Sequence, residues 1–372
     1  MSTIIRTRSP FYIRTPEETS SSLSYFSIDI FIESNEQGVA LCGKLSETTS
    51  LTKKPINNQN SVSLEISEIV NNYLSQSIVS STVKPNYQSL WVKVTTTARE
   101  SDGTQIGSST VTNYLAQEGF NTYLQGANYT TEPNAMITAD YIQYYIGQNI
   151  VIPVNTELVN QLEFVNSAGG IGTEAISTTT NANNKIDYVS VAFADVVSLI
   201  VTYNTSTTRT IKVQGVSQCK YPVFKCTFLN KWGAFQEVFF FKKSVKTLET
   251  KRENYNRSNF YAAFSYFESR GGSCDEEFLY NTYEPTTHSK KTFNTNGVES
   301  LQLNTGFVNE AMNLTFQELM TSEYVWLTDS DNNVMPVVLK DSSMTYKTGL
   351  NDKMINYTMS FEKSFSYINN VR

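Results

Sequence analysis

Residues 224–241 read Phe-Lys-Cys-Thr-Phe-Leu-Asn-Lys-Trp-Gly-Ala-Phe-Gln-Glu-Val-Phe-Phe-Phe, and few folds can absorb such a run. Phe224, Cys226 and Phe228 alternate with Lys225 and Thr227, the period of two that marks a strand with one buried face. Asn230-Lys231-Trp232-Gly233 supplies turn chemistry, because Asn and Gly tolerate the positive φ of a tight reversal. The second limb is apolar on both faces, with Phe235, Phe239 and Phe241 on one side and Val238 and Phe240 on the other. Such a strand is expected to be buried on both sides, inside a sandwich or against a neighbouring subunit.

The remaining chain fits a mainly β protein. Among 372 residues there are 22 Tyr and 21 Phe against 3 Trp, a palette that favours strands. Residues 1–22 read as an extended arm. Residues 23–115 read as a β-sandwich of immunoglobulin-like size, with Phe26, Ile28, Ile30 and Ile32 on one face. Within it, Ile66, Ile69, Val70, Tyr73 and Leu74 fall on a helical stripe and predict a short helix. Residues 116–140, rich in Gly, Asn and Tyr, read as a linker, and 141–216 as a small β domain. Residues 217–372 read as a β-rich domain with one or two helices. There, Lys242–Asn259 is expected to be helical or looped, Thr305–Thr321 carries a second helical stripe, and the last strand is expected to join the sheet. Together these give two or three β-sandwich domains with a few short helices.

Reactive groups are scarce. The one histidine, His288, sits in a polar loop without a nucleophile beside it, which argues against Ser-His, Cys-His and His-zinc chemistry. Cys42, Cys219, Cys226 and Cys274 lack metal-ligand spacing and read as free thiols. Asp275-Glu276-Glu277 and the pair Asp329 and Asp331 are the dense carboxylate clusters, and both read as surface. Asp329-Ser-Asp-Asn-Asn opens like a calcium loop but lacks the Gly and the distal Glu. Ser167-Ala-Gly-Gly-Ile-Gly-Thr lacks the Lys-Ser/Thr and the following helix of a phosphate cradle, and reads as a hairpin tip. Tyr141, Tyr144 and Tyr145 read as a half-buried strand edge, with sugar or base stacking as the other possibility. No catalytic residue, metal or cofactor is expected.

Charged residues make up 17% of the chain, below the usual level of about 25%, and the net charge is −6. A chain of that balance is not expected to bind nucleic acid directly. No run approaches the length of a membrane span, so no membrane insertion is expected.

Four phrases carry a resemblance: Phe-Leu-Asn-Lys-Trp-Gly-Ala-Phe-Gln-Glu (228–237), Leu-Asn-Thr-Gly-Phe-Val-Asn-Glu (303–310), Ser-Glu-Tyr-Val-Trp-Leu (322–327) and Leu-Asn-Asp-Lys-Met-Ile-Asn-Tyr-Thr (350–358). A weaker one is Glu-Ile-Ser-Glu-Ile-Val-Asn-Asn-Tyr-Leu (65–74). In these the chain resembles tail, baseplate or neck-ring structural proteins of tailed phages infecting Bacteroidota, crAss-like phages included. The resemblance covers mostly residues 217–372 and carries over no enzymatic residue. It implies a virion subunit, assembled in the host cytoplasm and repeated around a ring, whose partners are its own copies and other virion proteins. On that reading Trp232, Phe235, Phe239, Phe241 and Trp326 form the scaffold core or the subunit contact. The alternative is a receptor- or carbohydrate-binding module at the tail tip.

Overall fold

The structure is a computed structural model and describes residues 3–33, 46–56, 59–76, 78, 89–129, 135–176, 186–192, 195–203, 207–217, 220–257, 260–266, 276–283, 285–286, 288–348 and 355–368. Cys42, Cys219, Cys274 and Asp275 lie outside the described residues. The described residues form 23 strands and two short helices, so the protein is mainly β. They fall into two compact units, Met1–Ser244 with Gln302–Phe361, and Val245–Leu301 with Glu362–Arg372. The second unit is thus an insertion within what reads from the sequence as one C-terminal domain.

The first layer of unit 1 contains β1 (Thr3–Arg6), β2 (Tyr12–Arg14), β3 (Tyr25–Glu33), β4 (Ser46–Lys53), β5 (Ser63–Glu65), α1 (Ser67–Asn71), β6 (Ser89–Arg99) and β7 (Gln105–Gln117). Five of these strands make a sheet in the order β1-β7-β6-β3-β4, and β2 pairs with β5. Along β3 burial alternates strictly, and Phe26, Ile28, Ile30 and Ile32 meet Val92, Val94, Val70 and Ile66 in one core. The helical stripe yields α1, a single short helix anchored by Ile66 and Val70. The amino-terminal residues are not an arm. β1 pairs in parallel with β7, and Ile4 and Ile5 are buried. Two adjacent isoleucines are too short a run to show a period, which hides this strand among polar neighbours.

The second layer contains β8 (Tyr141–Tyr145), β9 (Ile150–Asn155), β10 (Val159–Asn166), β11 (Ile171–Ala175), β12 (Ile186–Val191), β13 (Val196–Tyr203) and β14 (Thr207–Val216). A five-stranded sheet, β11-β10-β13-β14-β8, and the β9–β12 pair share one core with Ile152, Val154, Leu162, Leu199 and Ile211. The crossing before β8 runs through the interior: Ala135, Met136, Ile137 and Ala139 are buried. Arg209 on β14 holds it there, donating to the carbonyls of Ala135, Ile137 and Thr138 at 3.0–3.2 Å and pairing with Asp140 at 2.7 Å.

The third layer contains β15 (Phe224–Leu229) and β16 (Phe235–Phe240). After the insertion, which holds β17 (Val245–Asn256), β18 (Phe260–Tyr266), β19 (Glu276–Tyr283) and the start of β20 (Lys290–Val308), the layer resumes. It then adds α2 (Met312–Met320), β21 (Val325–Thr328), β22 (Val334–Leu339) and β23 (Ile355–Lys363). In unit 1 the strand order is β16-β15-β21-β22-β23-β20. The hairpin register sets Phe224 opposite Phe240 and Leu229 opposite Phe235. Both limbs are buried on both faces over most of their length, β15 as well as β16, since Thr227 is as buried as Phe228. The second helical stripe gives α2, while Thr305–Val308 ends β20 instead. β23 belongs to the sheet, with Ile355, Tyr357, Met359 and Phe361 inward.

In unit 2, β17 lies beside β20, and β18 pairs antiparallel with β19. β17 corrects the expectation of a charged helix or loop: it is a twelve-residue strand, every residue of which is exposed. With solvent on both faces, neither period two nor period 3.6 is imposed on its sequence.

Phe240 is 1% exposed and meets Phe361 edge to face, with ring centres 5.6 Å apart. Phe240→Ala therefore lowers the unfolding free energy by about 3–5 kcal/mol, the usual cost of a large aromatic cavity. Urea unfolding followed by tryptophan fluorescence measures it.

Candidate functional site

The β15–β16 turn works through a side chain. Asn230 does not adopt positive φ; Gly233 does, at +78°. The Asn230 carboxamide is 1% exposed and fully engaged. Its oxygen accepts from the backbone N–H groups of Trp232 (3.0 Å) and Ala234 (3.1 Å), and its nitrogen donates to the Met136 carbonyl (2.6 Å) and to Gln236 Oε1 (3.2 Å). The turn is thereby bonded to the crossing before β8. On its other side the backbone of 119–120 comes so close that a Cβ on Gly119 would sit 2.6 Å from the Lys231 carbonyl oxygen. The Phe120 N–H donates to that same oxygen at 2.8 Å.

The five aromatic residues picked out by sequence lie in three places. Phe235 and Trp326 meet edge to face at 5.4 Å, joined by Leu229. Phe239 and Phe241 stack at 6.1 Å and enter the core of the second layer. Trp232 is half-buried, and its indole N–H donates to Thr138 Oγ1 at 3.1 Å. The Arg6 guanidinium lies 4.7 Å from the Trp232 ring centre and the Lys231 ammonium 4.5 Å from it, both in the range of a cation–π contact. Within one chain, four of the five are core residues.

Around the turn gather ionisable groups that no sequence pattern marks. Glu118, at the end of β7, is 2% exposed. Burial pushes its carboxyl up to about 7 from an ordinary 4.5, with the Glu323 charge adding to the rise and the nearby Gln76 amide and Arg8 opposing it. Arg8 itself pairs with Glu323 at 3.0 Å and donates to the Thr321 carbonyl at 3.0 Å. Glu318 on α2 is also buried and raised, chiefly by desolvation, while the Thr138 hydroxyl bonded to it and the Lys231 charge pull the other way. One oxygen of Glu118 and one of Glu318 find no hydrogen-bond partner among the described residues. Glu118, Glu318 and Arg6 are isolated in sequence, and only the fold assembles them.

The positions with chemical potential are otherwise committed. Asp329 Oδ1 accepts from the N–H groups of Asp331 and Asn333 at 2.9 Å, so it closes its own turn. Asn166 Oδ1 takes the Ala168 and Gly170 N–H groups at 3.1 and 2.7 Å, leaving the glycine-rich segment a hairpin tip between β10 and β11. His288 is exposed. Cys226 is buried, and burial pushes its thiol up. Among the described residues no three His, Cys, Asp or Glu side chains come together to hold a metal, and no helix is long and apolar enough to cross a membrane. Tyr144 is buried, Tyr141 half-buried, and Tyr145 leans on Phe241 with ring centres 6.3 Å apart. Beside Tyr145 a cleft of about 500 Å³ is lined by Tyr221, Lys225, Phe239 and Asp329. The Lys225 ammonium pairs with the nearly buried Glu237 at 2.9 Å.

The chain matches no protein-family model and none of the curated proteins.

A carboxyl raised on folding keeps a proton that the unfolded chain releases above pH 4.5. The contribution of Glu118 to stability is thus fully present below 4.5 and is lost as pH rises through about 7, while Glu299 and Asp102, whose carboxyls are lowered, act in the opposite sense. Glu237 and Glu318, raised in the same direction, add to the slope. Glu118→Gln should flatten this part of the profile, which urea midpoints measured across that pH range will show.

Proposed function

We propose that the chain is a structural subunit of a tailed-phage virion, repeated in a tail, baseplate or neck-ring assembly and put together in the host cytoplasm. Its partners are other copies of itself and neighbouring virion proteins, and it carries out no catalytic step. The observation that supports this reading best is the fully exposed strand β17. β17 is an edge strand beside β20, and an exposed edge offers its unpaired backbone groups to another chain. A protein that maintains one gains most when another surface covers it. The described interior has the complementary property: its aromatics are used in its own core, and its buried ionisable groups are arranged to join segments, with none poised toward an open cleft for acid–base work.

Negative-stain microscopy of the purified chain tests the reading, with rings or stacked discs as the expected result. A sample that stays monomeric at every accessible concentration overturns it. Phe239→Asp serves as the control, because the buried position of Phe239 predicts insoluble protein and not soluble monomer.

The cleft beside Tyr145 favours a second reading, a glycan-binding module at the tail tip. Two tyrosines with Lys225 and Asp329 offer a ring face and polar partners of the sort a sugar uses. A glycan array built on host capsule decides it: binding abolished by Tyr221→Ala supports this reading, and a blank array removes it.

A further inference from the structure

We propose that the turn carrying Tyr123 and Leu124 inserts into the cleft beside Tyr145 on a second copy of this chain. The inference rests on the assembly reading above and names one contact through which the copies meet.

Tyr123 is 90% exposed and Leu124 81%, the two most exposed large apolar side chains among the described residues. The turn that carries them is closed on itself: the Gln125 N–H donates to the Thr122 carbonyl at 2.9 Å, and Gln125 Oε1 accepts from the Thr122 N–H at 2.8 Å. It is also fastened on both sides. Asn121 Oδ1 accepts from Arg6 at 2.7 Å, and the Asn121 N–H donates to Ser9 Oγ at 2.7 Å. The Asn128 carboxamide bonds both backbone groups of Tyr12, at 2.6 and 2.7 Å. A turn tied down in this way loses little further freedom when a partner covers its apolar pair.

The cleft has the matching chemistry. A tyrosine buries an apolar ring and needs a hydrogen-bond partner for its hydroxyl. The cleft offers Tyr145, Tyr221 and Val223 to the ring and Gln148, Ser330 and Asn332 to the hydroxyl. At about 500 Å³ it falls within the ~300–1,000 Å³ usual for sites that enclose a small ligand, so a ring with a leucine beside it fits. The two features also lie toward opposite ends of the β15–β16 hairpin. Phe120, just before the turn, is bonded to Lys231 at the closed end of the hairpin. The cleft is lined by Lys225 and Phe239, which face each other near its open end. A turn toward one end and a cleft toward the other join one copy to the next head to tail. Repeated, such a heterologous contact closes into a ring or runs on as a filament.

The test uses the full chain with photoreactive p-benzoylphenylalanine in place of Tyr123. Irradiation should give covalent dimers, and mass spectrometry of their peptides should place the link in residues 220–223 or 328–332. A chain with Tyr123→Ser and Leu124→Ser should self-associate at least about tenfold more weakly in sedimentation, since buried aromatic anchors carry most of the energy of a contact. Its circular dichroism and urea midpoint should stay unchanged, because both side chains are exposed. Tyr221→Ala, on the other side of the contact, should weaken association in the same sense. Assembly of the Tyr123→Ser, Leu124→Ser chain equal to wild type, or photo-links that fall outside the cleft, overturns this inference and leaves the assembly reading intact. A wild-type chain that never associates overturns the assembly reading and this inference with it. A glycan bound in the cleft of the assembled protein also overturns the inference, because the neighbour's turn would then not fill it.

Discussion

Unit 1 depends on one buried carboxamide. Asn230 has two donor hydrogens and two acceptor positions, and all are used: two on its own turn, one on Gln236 of the returning strand and one on the Met136 carbonyl. A single side chain thus shapes the β15–β16 reversal and binds it to the crossing that leads into the second layer. Removing it would take the partner from the Met136 carbonyl, the buried Ala234 N–H and the part-buried Trp232 N–H at once, and such groups are costly to orphan. The small size of its neighbours is part of the same arrangement. Gly233 supplies the positive φ, and Gly119 lets the strap that follows β7 lie directly on the Lys231 carbonyl.

Around that carboxamide the charges are distributed to limit their own cost. Two carboxyls, Glu118 and Glu318, are buried where burial favours their neutral form. The nearest cations are not all given to them. Arg6 lies over Trp232 and donates to Asn121 Oδ1 at 2.7 Å, and Arg8 spends its charge on Glu323. Rings and amides accept a guanidinium at lower desolvation cost than a fully dehydrated ion pair requires. This leaves the junction of the first and third layers polar and geometrically specific, and the part of the stability that Glu118 and Glu318 contribute is greater in acidic than in neutral solution.

The sequence carries the elements that bury at least one face and loses β17, which buries none. β3 and β23 are legible because Phe26 to Ile32 and Ile355 to Phe361 alternate against a single core. α1 and α2 are legible from their stripes, though only Ser67–Asn71 and Met312–Met320 become helix, because strand pairing claims Thr305–Val308. β17 is illegible for the opposite reason: without a buried face, its side chains obey solubility alone. The aromatic hairpin shows a subtler limit. Phe235, Phe239 and Trp326 announce that they will be buried, but not by what. Whether a neighbouring strand or a neighbouring molecule supplies the cover depends on contacts far along the chain, and here the chain supplies it. Glu118 and Glu318 are lost for the same cause, since each looks like a surface carboxylate until the fold brings Glu323 and Arg8 beside the first and Thr138 beside the second.

The two units spend their side chains differently. The cores named above lie in unit 1, where apolar burial is large and non-directional. β17 is the reverse: five of its twelve residues are charged, against 17% over the chain. Exposed charge pairs are individually weak and screened by salt, yet they set orientation and speed encounter. An aromatic surface of the kind the hairpin sequence advertises would expose Phe239 and Phe241 to every other unfolded or half-folded chain. Keeping those rings in the core, 5% and 2% exposed, removes that hazard.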